Sequence, residues 1–297
     1  MSLTRSLGRF ALRALPPLRP AVYEWRARRA AARLRPSADP SPVLVYQMGK
    51  VGSASVAEAL AAAGRPALHV HTLAPDEVAR VGALHRRASG RFGIGATWYI
   101  GRAVGRRLEQ LGGALRVDAI TLVRDPIARE VSAVFQSPAL FGSGLVDARG
   151  RFDASRVRSL LEASLCADDA CRYVFEWLDR EIRPVLGIDV LAQPFDRERG
   201  FAVLESPRAR LAVLRTEDLD RTLAPALREL LGIEVAPRAA RANLRSEGAG
   251  GDAYDEVLRE LRLPRSAVER IYAHRFVRHF YTDAMVEGFA ARWCGPR

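Results

Sequence analysis

Residues 43–55 read VLVYQMGKVGSAS, a short apolar run that leads into two glycines, one lysine and two serines. Four consecutive apolar residues before a glycine are typical of a buried strand that enters a tight turn. Residues 55–63 then have the alanine-rich, leucine-spaced composition of a helix, and Gly64 suits its end. The order strand, glycine-containing loop, helix predicts an anion site, because N–H groups at a helix start bind phosphate. A purely structural glycine turn is the alternative.

Lys50, in the middle of this stretch, is the only lysine of the chain and stands against 45 arginines. Its ammonium is compact and rotates freely, whereas a guanidinium is a broad planar fork. We therefore interpret Lys50 as a phosphate ligand in a narrow loop, with the hydroxyls of Ser53 and Ser55 as further donors. Val51 stands where an ATP- or GTP-binding loop carries its magnesium-binding hydroxyl, which argues against a nucleotide kinase.

Strand and helix patterns continue to alternate after this loop. We predict a strand at 67–71, a helix from Pro75, a helix over 96–111 and a strand over 117–123. Such alternation is typical of a parallel sheet with helices on both faces. The predicted fold class is therefore α/β, with a central parallel sheet flanked by helices.

The predicted domain spans residues 42–297, with a helical insert at about 137–200 and a helical C-terminal part over 253–293. Residues 1–41 form a basic extension that we expect to be flexible, since it is rich in arginine and broken by prolines. It has neither the ~20 apolar residues of a membrane span nor the features of a secretory signal. Peripheral contact with an anionic membrane through residues 1–35 is the alternative to a free tail.

The net charge of +12 and the pI near 10.6 favour anionic ligands. We expect no nucleic-acid partner, because no zinc-ligand pattern, aromatic RNA motif or repeat is present. We also expect no metal, because three cysteines and five histidines match no ligand spacing. The cysteine usage favours reduced thiols and a cytoplasmic protein, with the inner membrane surface as a peripheral location.

A second motif lies at residues 121–132, TLVRDPIAREVS. Arg124 follows a predicted strand, at the sheet edge where α/β proteins bind ligands. Ser132 lies eight residues later, about two turns into the next predicted helix. We expect both side chains to reach one anionic group.

Together, K-x-G-S-x-S after the first strand and R-D-P with its later serine resemble the sulfotransferases that use 3′-phosphoadenosine 5′-phosphosulfate (PAPS). The resemblance covers most of residues 43–297 and implies a P-loop-like sulfotransferase fold, with PAPS as co-substrate and a hydroxyl as acceptor. It implies two sets of ligands: Lys50, Gly52, Ser53, Ala54 and Ser55 for the 5′-phosphosulfate, and Arg124 with Ser132 for the 3′-phosphate.

Within those enzymes the chain looks most similar to bacterial capsular polysaccharide synthesis proteins, on the segments YQMGKVGS, FEWLDREI and IYAHRFVRHFYT. This similarity implies an acceptor hydroxyl on a carbohydrate, such as a capsular or envelope glycan, or on a small molecule. Two departures stand out. Met48 and Gly49 replace the common proline before the lysine, and residues 251–254 read GDAY where relatives carry a lysine, tryptophan and tyrosine signature.

Sulfuryl transfer needs a cation at the leaving oxygen and a base for the acceptor hydroxyl. Lys50 is the expected cation. For the base, His71 is our first candidate and His69 the second, because alternation places both on one face of a strand. Each histidine could instead simply pack at the strand end. Arg241, Asn243 and Arg245 could form a flap over the nucleotide or an ordinary surface loop.

Two other functions are compatible with these motifs. A non-catalytic nucleotide- or polyanion-binding protein would keep the same fold without turnover. A nucleotide kinase would require magnesium, which Val51 disfavours.

Overall fold

The computed structural model describes residues 19–38, 40–89, 94–235 and 251–294. Residues 1–18 and the expected flap at 241–245 lie outside these ranges. Five strands form one sheet: β1 (Val43–Tyr46), β2 (Ala67–Val70), β3 (Val117–Val123), β4 (Phe201–Glu205) and β5 (Ala209–Arg215). Their spatial order is β2-β1-β3-β5-β4.

The strand pairing is mixed. β2, β1, β3 and β5 run parallel, as predicted, whereas β4 pairs antiparallel with β5. The predicted parallel sheet therefore carries one antiparallel strand, β4, at its edge. The reason is local: only residues 206–208 separate β4 from β5, and so short a connection can join only antiparallel neighbours.

Helices cover the sheet. Their bounds are α1 (Arg19–Ala31), α2 (Ser53–Ala62), α3 (Pro75–Ser89), α4 (Ala96–Leu111), α5 (Pro126–Gln136), α6 (Ala154–Cys166), α7 (Arg172–Trp177), α8 (Arg183–Leu186), α9 (Leu219–Leu231), α10 (Gly251–Glu260), α11 (Arg265–Tyr272), α12 (Arg275–Phe280) and α13 (Asp283–Trp293). A π-helical turn, Leu178–Ile182, joins α7 to α8.

The apolar strands explain why the sheet lies at the centre of the molecule. All four residues of β1 are buried, as are six of the seven in β3. Strands covered on both faces show continuous apolar runs rather than an alternating pattern. The Val-, Leu- and Ile-rich sequences of β1 and β3 therefore specify the two middle positions of the sheet.

The strand order creates a crevice between β1 and β3. From β1 the chain passes through α2 to β2 on one side, and it then returns through α3 and α4 to β3 on the other. Such a reversal of strand order makes the loops after the two strands diverge, and ligands of α/β proteins bind there. Residues 47–52 follow β1, and Arg124 follows β3.

Residues 19–31 depart from the expected flexible extension, because they form α1 and pack against α4. Ala27 is completely buried, and the rings of Tyr23 and Tyr99 lie 5.8 Å apart. Glu24 also forms an ion pair with Arg102 on α4. The high arginine content concealed a helix that buries its small residues and keeps its guanidinium groups outside.

None of the helices in the described ranges is both long and apolar enough to cross a bilayer.

Helix α4 contacts the chain after β2 through two glycines. A Cβ atom on Gly101 would lie 2.2 Å from the Thr72 carbonyl oxygen, and one on Gly105 would lie 2.4 Å from that of Leu73. Only glycine allows so close an approach of helix to backbone. The glycines therefore set the position of the segment that follows His71.

We expect Gly105→Ala to lower the free energy of unfolding by roughly 1–3 kcal/mol, because the methyl group forces α4 away from Leu73. Gly288→Ala on α13 is the matched control, since a Cβ there meets nothing within 4 Å. That helical substitution should stabilise the protein by about 0.5–1 kcal/mol. Thermal unfolding measures both changes, and an unchanged or higher Tm for Gly105→Ala would contradict the packing argument.

Candidate functional site

The loop after β1 is held in an unusual backbone conformation. Lys50 has a φ of 73° and Gly52 a φ of 90°. Left-handed conformations are costly for residues other than glycine, and they concentrate at functional sites. Lys50 and Cys171 are the only such non-glycine residues in the described ranges.

Helix α2 begins directly after this loop. No side chain caps it, and Gly52 occupies the N-cap position. The first N–H groups of a helix have no partners within the helix, so an uncapped start favours an anion. Ser53, Ala54 and Ser55 lie in this first turn and are half-buried.

Two arginines hold the loop from the side of β3. The Nη1 of Arg124 donates to the Lys50 carbonyl oxygen at 2.9 Å. The Nε of Arg129, on α5, donates to the Gly49 carbonyl oxygen at 3.2 Å. These bonds place Lys50, Arg124 and Arg129 around one point at the carboxyl ends of β1 and β3.

Thr216, directly after β5, ties the same strand ends together. Its hydroxyl lies 2.7 Å from the Val51 carbonyl oxygen and 2.9 Å from that of Val123. A Cβ on Gly52 would lie 3.4 Å from the Thr216 methyl group. The loop is thus fixed by β3 and β5 as well as by its own strand.

The three cations lack a full set of counter-charges. No carboxylate in the described ranges lies within 4.0 Å of the Lys50 ammonium or the Arg124 guanidinium, and Arg129 pairs with Glu130 at 2.8 Å. Burial lowers the pKa of Lys50, and the nearby Arg124 and Arg129 lower it further. A bound anion would relieve this repulsion, so the arrangement favours a doubly charged group such as phosphate.

Ser132 lies on α5, one turn beyond Arg129, and is 6% exposed. Residues three apart on a helix share a face, so Ser132 lies on the same face of α5 as Arg129, which contacts the loop. Ser132 is more buried than Gly49, Lys50 and Gly52 of the loop. The sequence-based pairing of Arg124 with Ser132 stays a prediction, and the structure adds Arg129 to the same region.

The two candidate bases lie side by side, with ring centroids 4.6 Å apart. His71 Nδ1 lies 2.8 Å from the Gln47 carbonyl oxygen. A carbonyl only accepts, so Nδ1 carries the proton and Nε2 keeps its lone pair. Burial lowers the pKa of His71; the bond to the Gln47 carbonyl oxygen opposes this shift, and the charge of Arg129 adds to it. His71 is therefore a neutral imidazole with its acceptor nitrogen free of this bond.

His69 is less suited to proton transfer. Its Nε2 is buried and has no hydrogen-bond partner among the described residues. Burial, with a smaller contribution from His71, lowers its pKa to about 4. Of the two histidines, the geometry favours His71 as a base.

A buried glutamate, Glu181, supports this edge of the sheet from the π-helical turn. Its Oε2 accepts from Leu73 N at 2.9 Å, from Ala74 N at 3.0 Å and from the Tyr46 hydroxyl. Burial raises its pKa to about 7, although these three bonds oppose the shift. Glu181 therefore satisfies the N–H groups at the start of α3 and links them to β1.

Sequence reasoning missed Glu181 as a functional position. The sequence feature that could have identified it is a glutamate in a segment whose apolar residues, Phe175, Trp177, Leu178 and Ile182, are expected to be buried. Acidic residues are almost never fully buried without partners, so its place in an apolar segment indicates a specific set of donors.

Asp125, between Arg124 and Pro126, is a second buried carboxylate. It accepts from Ile127 N at 3.0 Å, from the Tyr272 hydroxyl at 2.9 Å and from Trp293 Nε1 at 2.9 Å. Burial raises its pKa, whereas these donors and Arg124 lower it. Asp125 therefore joins the strand end at Arg124 to the C-terminal helices.

Glu217 completes this connection. It accepts from Asp125 N at 2.7 Å and lies 3.3 Å from the Tyr281 hydroxyl. Burial of its carboxyl group raises the pKa of Glu217 to about 7, and the neighbouring Asp125 charge acts in the same direction. The carboxyl group is enclosed by these partners although the residue as a whole is exposed.

Comparison with known protein families gave one match. Residues 152–282 match the model of the NKWYS family, described as putative capsular polysaccharide synthesis protein. The match covers less than half of the chain: it contains Glu181, Glu217, Tyr272 and Tyr281 but ends short of Lys50 and Arg124 on the N-terminal side. No curated protein and no solved structure matched the chain.

The raised pKa of Glu181 predicts a pH-dependent stability. The unfolded chain releases this proton near pH 4.5, whereas the folded protein keeps it until about pH 7. The stabilising contribution is therefore complete below about pH 4.5 and is lost as the pH rises through about 7. Glutamine cannot ionise, so Glu181→Gln should not lose this stability. As the pH rises from about 4.5 to 7, the free energy of unfolding of the variant should increase relative to that of the native protein, by up to about 3 kcal/mol.

Thermal unfolding of both proteins across this pH range measures the difference. Tyr46→Phe is the matched control, because it removes one donor and keeps the carboxyl group, so its pH dependence should persist. Parallel stability curves for Glu181→Gln and the native protein would contradict the assignment.

Proposed function

We propose that this protein is a PAPS-dependent sulfotransferase that transfers a sulfuryl group to a hydroxyl of a carbohydrate or of a capsular or envelope glycan. The observation that carries the proposal is the grouping of Lys50, Arg124 and Arg129 at the carboxyl ends of β1 and β3 without a full set of acidic partners. The glycan part rests on the description of the matched family.

The residues present suit a nucleotide with two separate phosphate groups. Lys50 and the uncapped start of α2 offer one anion-binding centre, and Arg124 with the buried Ser132 on α5 is the second that we propose. Val51, the residue after the lysine, is a buried aliphatic side chain and has no hydroxyl to offer to magnesium. This donor set favours metal-free binding of a phosphosulfate over metal-dependent phosphate transfer.

PAPS supplies an activated sulfuryl group: the acceptor oxygen forms a bond to sulfur while the bond between sulfur and the bridging phosphate oxygen breaks. The residues of this chain act on charge and on one proton. Lys50 stabilises the negative charge that develops on the leaving oxygen, and such preorganised charges are often the largest catalytic contribution. Its lowered pKa leaves the ammonium poised for a strong charge-assisted bond.

His71 accepts the proton of the acceptor hydroxyl at Nε2. The bond from Nδ1 to the Gln47 carbonyl oxygen fixes the ring and its tautomer. Trp177 Nε1 donates to the His71 carbonyl oxygen at 3.3 Å, which holds the backbone at this position. A neutral, oriented imidazole is the form that general-base catalysis requires.

Lys50 variants test the proposed reaction. We expect Lys50→Ala to lower kcat by about 10²-fold or more, the usual scale for losing a preorganised donor. Lys50→Arg keeps the charge but has a planar head group, so it should bind 3′-phosphoadenosine 5′-phosphate and still lose most of its turnover.

Release of this nucleotide from PAPS in the presence of glycan acceptors measures turnover, and thermal shift measures binding. ATP with magnesium is the comparison ligand. Stabilisation by ATP alone would favour a kinase, and binding without turnover for any acceptor would favour a non-catalytic protein. Near-native turnover of Lys50→Arg would contradict the role given to the ammonium.

The two histidines form a matched pair for testing the base. We expect His71→Asn to lower kcat by about 10²–10⁴-fold, the typical contribution of general-base catalysis. His69→Asn should have a much smaller effect, because the Nε2 of His69 is buried and out of contact with an acceptor substrate. The activity should fall at low pH in the native protein, as the imidazole of His71 gains a proton. Equal losses in both variants would show a packing role instead.

A further inference from the structure

The outward face of α1 combines a tryptophan with a cluster of arginines. Trp25 is 56% exposed, which makes it the most exposed large hydrophobic side chain in the described ranges. The Arg29 guanidinium lies 4.8 Å from the centre of a Trp25 ring. Arg26 and Arg28 on α1 are also exposed, as is Arg33 in the turn that follows the helix. We call these five residues the α1 basic face.

The packing of α1 fixes the direction of this face. Ala27 and Ala31 are buried against the domain, and Arg107 on α4 donates to the Leu34 carbonyl oxygen at 3.1 Å. The Glu24–Arg102 ion pair and the contact between Tyr23 and Tyr99 lie on the same inner side. Rotation of α1 would break all of these contacts, which therefore hold the α1 basic face outward.

The charge of the face is not neutralised. Glu24 is the only acidic residue of α1, and its Oε2 pairs with Arg102. The Nε of Arg28 lies 3.8 Å from the other oxygen of Glu24, Oε1. In the described part of the chain, no carboxylate lies within ion-pair distance of Arg26, Arg29 or Arg33. The face therefore has a positive field and an exposed indole beside it.

We infer that the α1 basic face docks on the surface of an anionic lipid bilayer. Arginine groups attract acidic lipid head groups, and tryptophan prefers the boundary between head groups and acyl chains. A single-stranded nucleic acid would instead need a basic groove with several stacking rings. The convex surface of one helix with one exposed indole fits a flat anionic surface better.

The position of α1 links this surface to the rest of the molecule. Helix α4 lies between α1 and the sheet, and its glycines contact the carbonyl oxygens of Thr72 and Leu73, directly after His71. The bilayer would thus lie one helix away from the end of β2. The inference rests on α1 alone and does not depend on the proposed reaction.

Vesicle binding of the full-length protein tests the inference. Co-sedimentation is measured with vesicles of phosphatidylcholine alone and with vesicles that contain equal parts of phosphatidylcholine and phosphatidylglycerol. We expect binding to the anionic vesicles only, and a loss of binding at high salt. Each basic residue near an anionic surface strengthens binding roughly fivefold, so Arg26→Glu combined with Arg29→Glu should weaken binding by at least about 25-fold.

The matched control reverses two exposed arginines elsewhere, Arg149→Glu combined with Arg259→Glu. This control has the same net charge as the test variant and should bind within about threefold of the native protein, since surface attraction falls off within a Debye length. Equal Tm values for the three proteins establish that all are folded. A control that loses as much binding as the test variant would overturn the inference, because net charge alone would then explain it.

Fluorescence provides a second readout. Brominated lipids should quench Trp25, whereas Trp177 and Trp293 are 2% and 0% exposed and should be protected. Trp98, the fourth tryptophan, is half-buried on α4, so quenching is compared in two variants. Trp25→Phe should abolish most of it, and Trp98→Phe should keep most of it. Absence of quenching in the native protein, or binding to RNA but not to anionic vesicles with the same dependence on Arg26 and Arg29, would overturn the inference.

Discussion

The buried carboxylate of Asp125 connects the end of β3 to the C-terminal helices α11 and α13. It accepts hydrogen bonds from the first turn of α5 and from two aromatic residues near the C-terminus, Tyr272 and Trp293. A buried charge is tolerated only when its lone pairs are satisfied, and loss of one partner typically costs several kcal/mol. Since Arg124 is the preceding residue, the position of its backbone depends on the same bonds. The aromatic residues of the C-terminal helices therefore help to orient an arginine that lies more than 140 residues earlier.

The strained loop at Lys50 is stabilised by the same neighbourhood. A left-handed non-glycine residue costs of order 1–3 kcal/mol. The carbonyl oxygens of Gly49 and Lys50 each accept a bond from a guanidinium, and bonds to charged groups contribute about 1.5–3 kcal/mol each. The arginines thus outweigh the strain before any ligand binds. Arg124 and Arg129 both hold the loop through these bonds. Arg129 is also paired with Glu130, whereas the charge of Arg124 stays available to an anion.

The sequence predicted the parts of this arrangement that depend on local pattern. The apolar runs identified β1 and β3 as buried strands, and the segments that follow them, with Lys50 and Arg124, were interpreted as anion-binding groups. Three features depend on contacts distant in sequence and were missed. Arg129 was hidden in the middle of a helix, Glu181 acts across more than 100 residues, and α1 was taken for a flexible tail. The buried face of α1 consists of small residues such as Ala27, which add little to a hydrophobic pattern. The arginines dominate the composition of the segment and made it resemble a flexible tail.

Because lysine occurs once in the chain, Lys50 carries the only side-chain primary amine of the protein. Its lowered pKa increases the fraction of neutral amine, the form that reacts with acylating reagents. Its half-buried position places that reactive group inside the loop rather than on the open surface. Covalent labelling of side-chain amines would therefore act as a chemical probe of this single loop, and protection from the label would report directly on what occupies it.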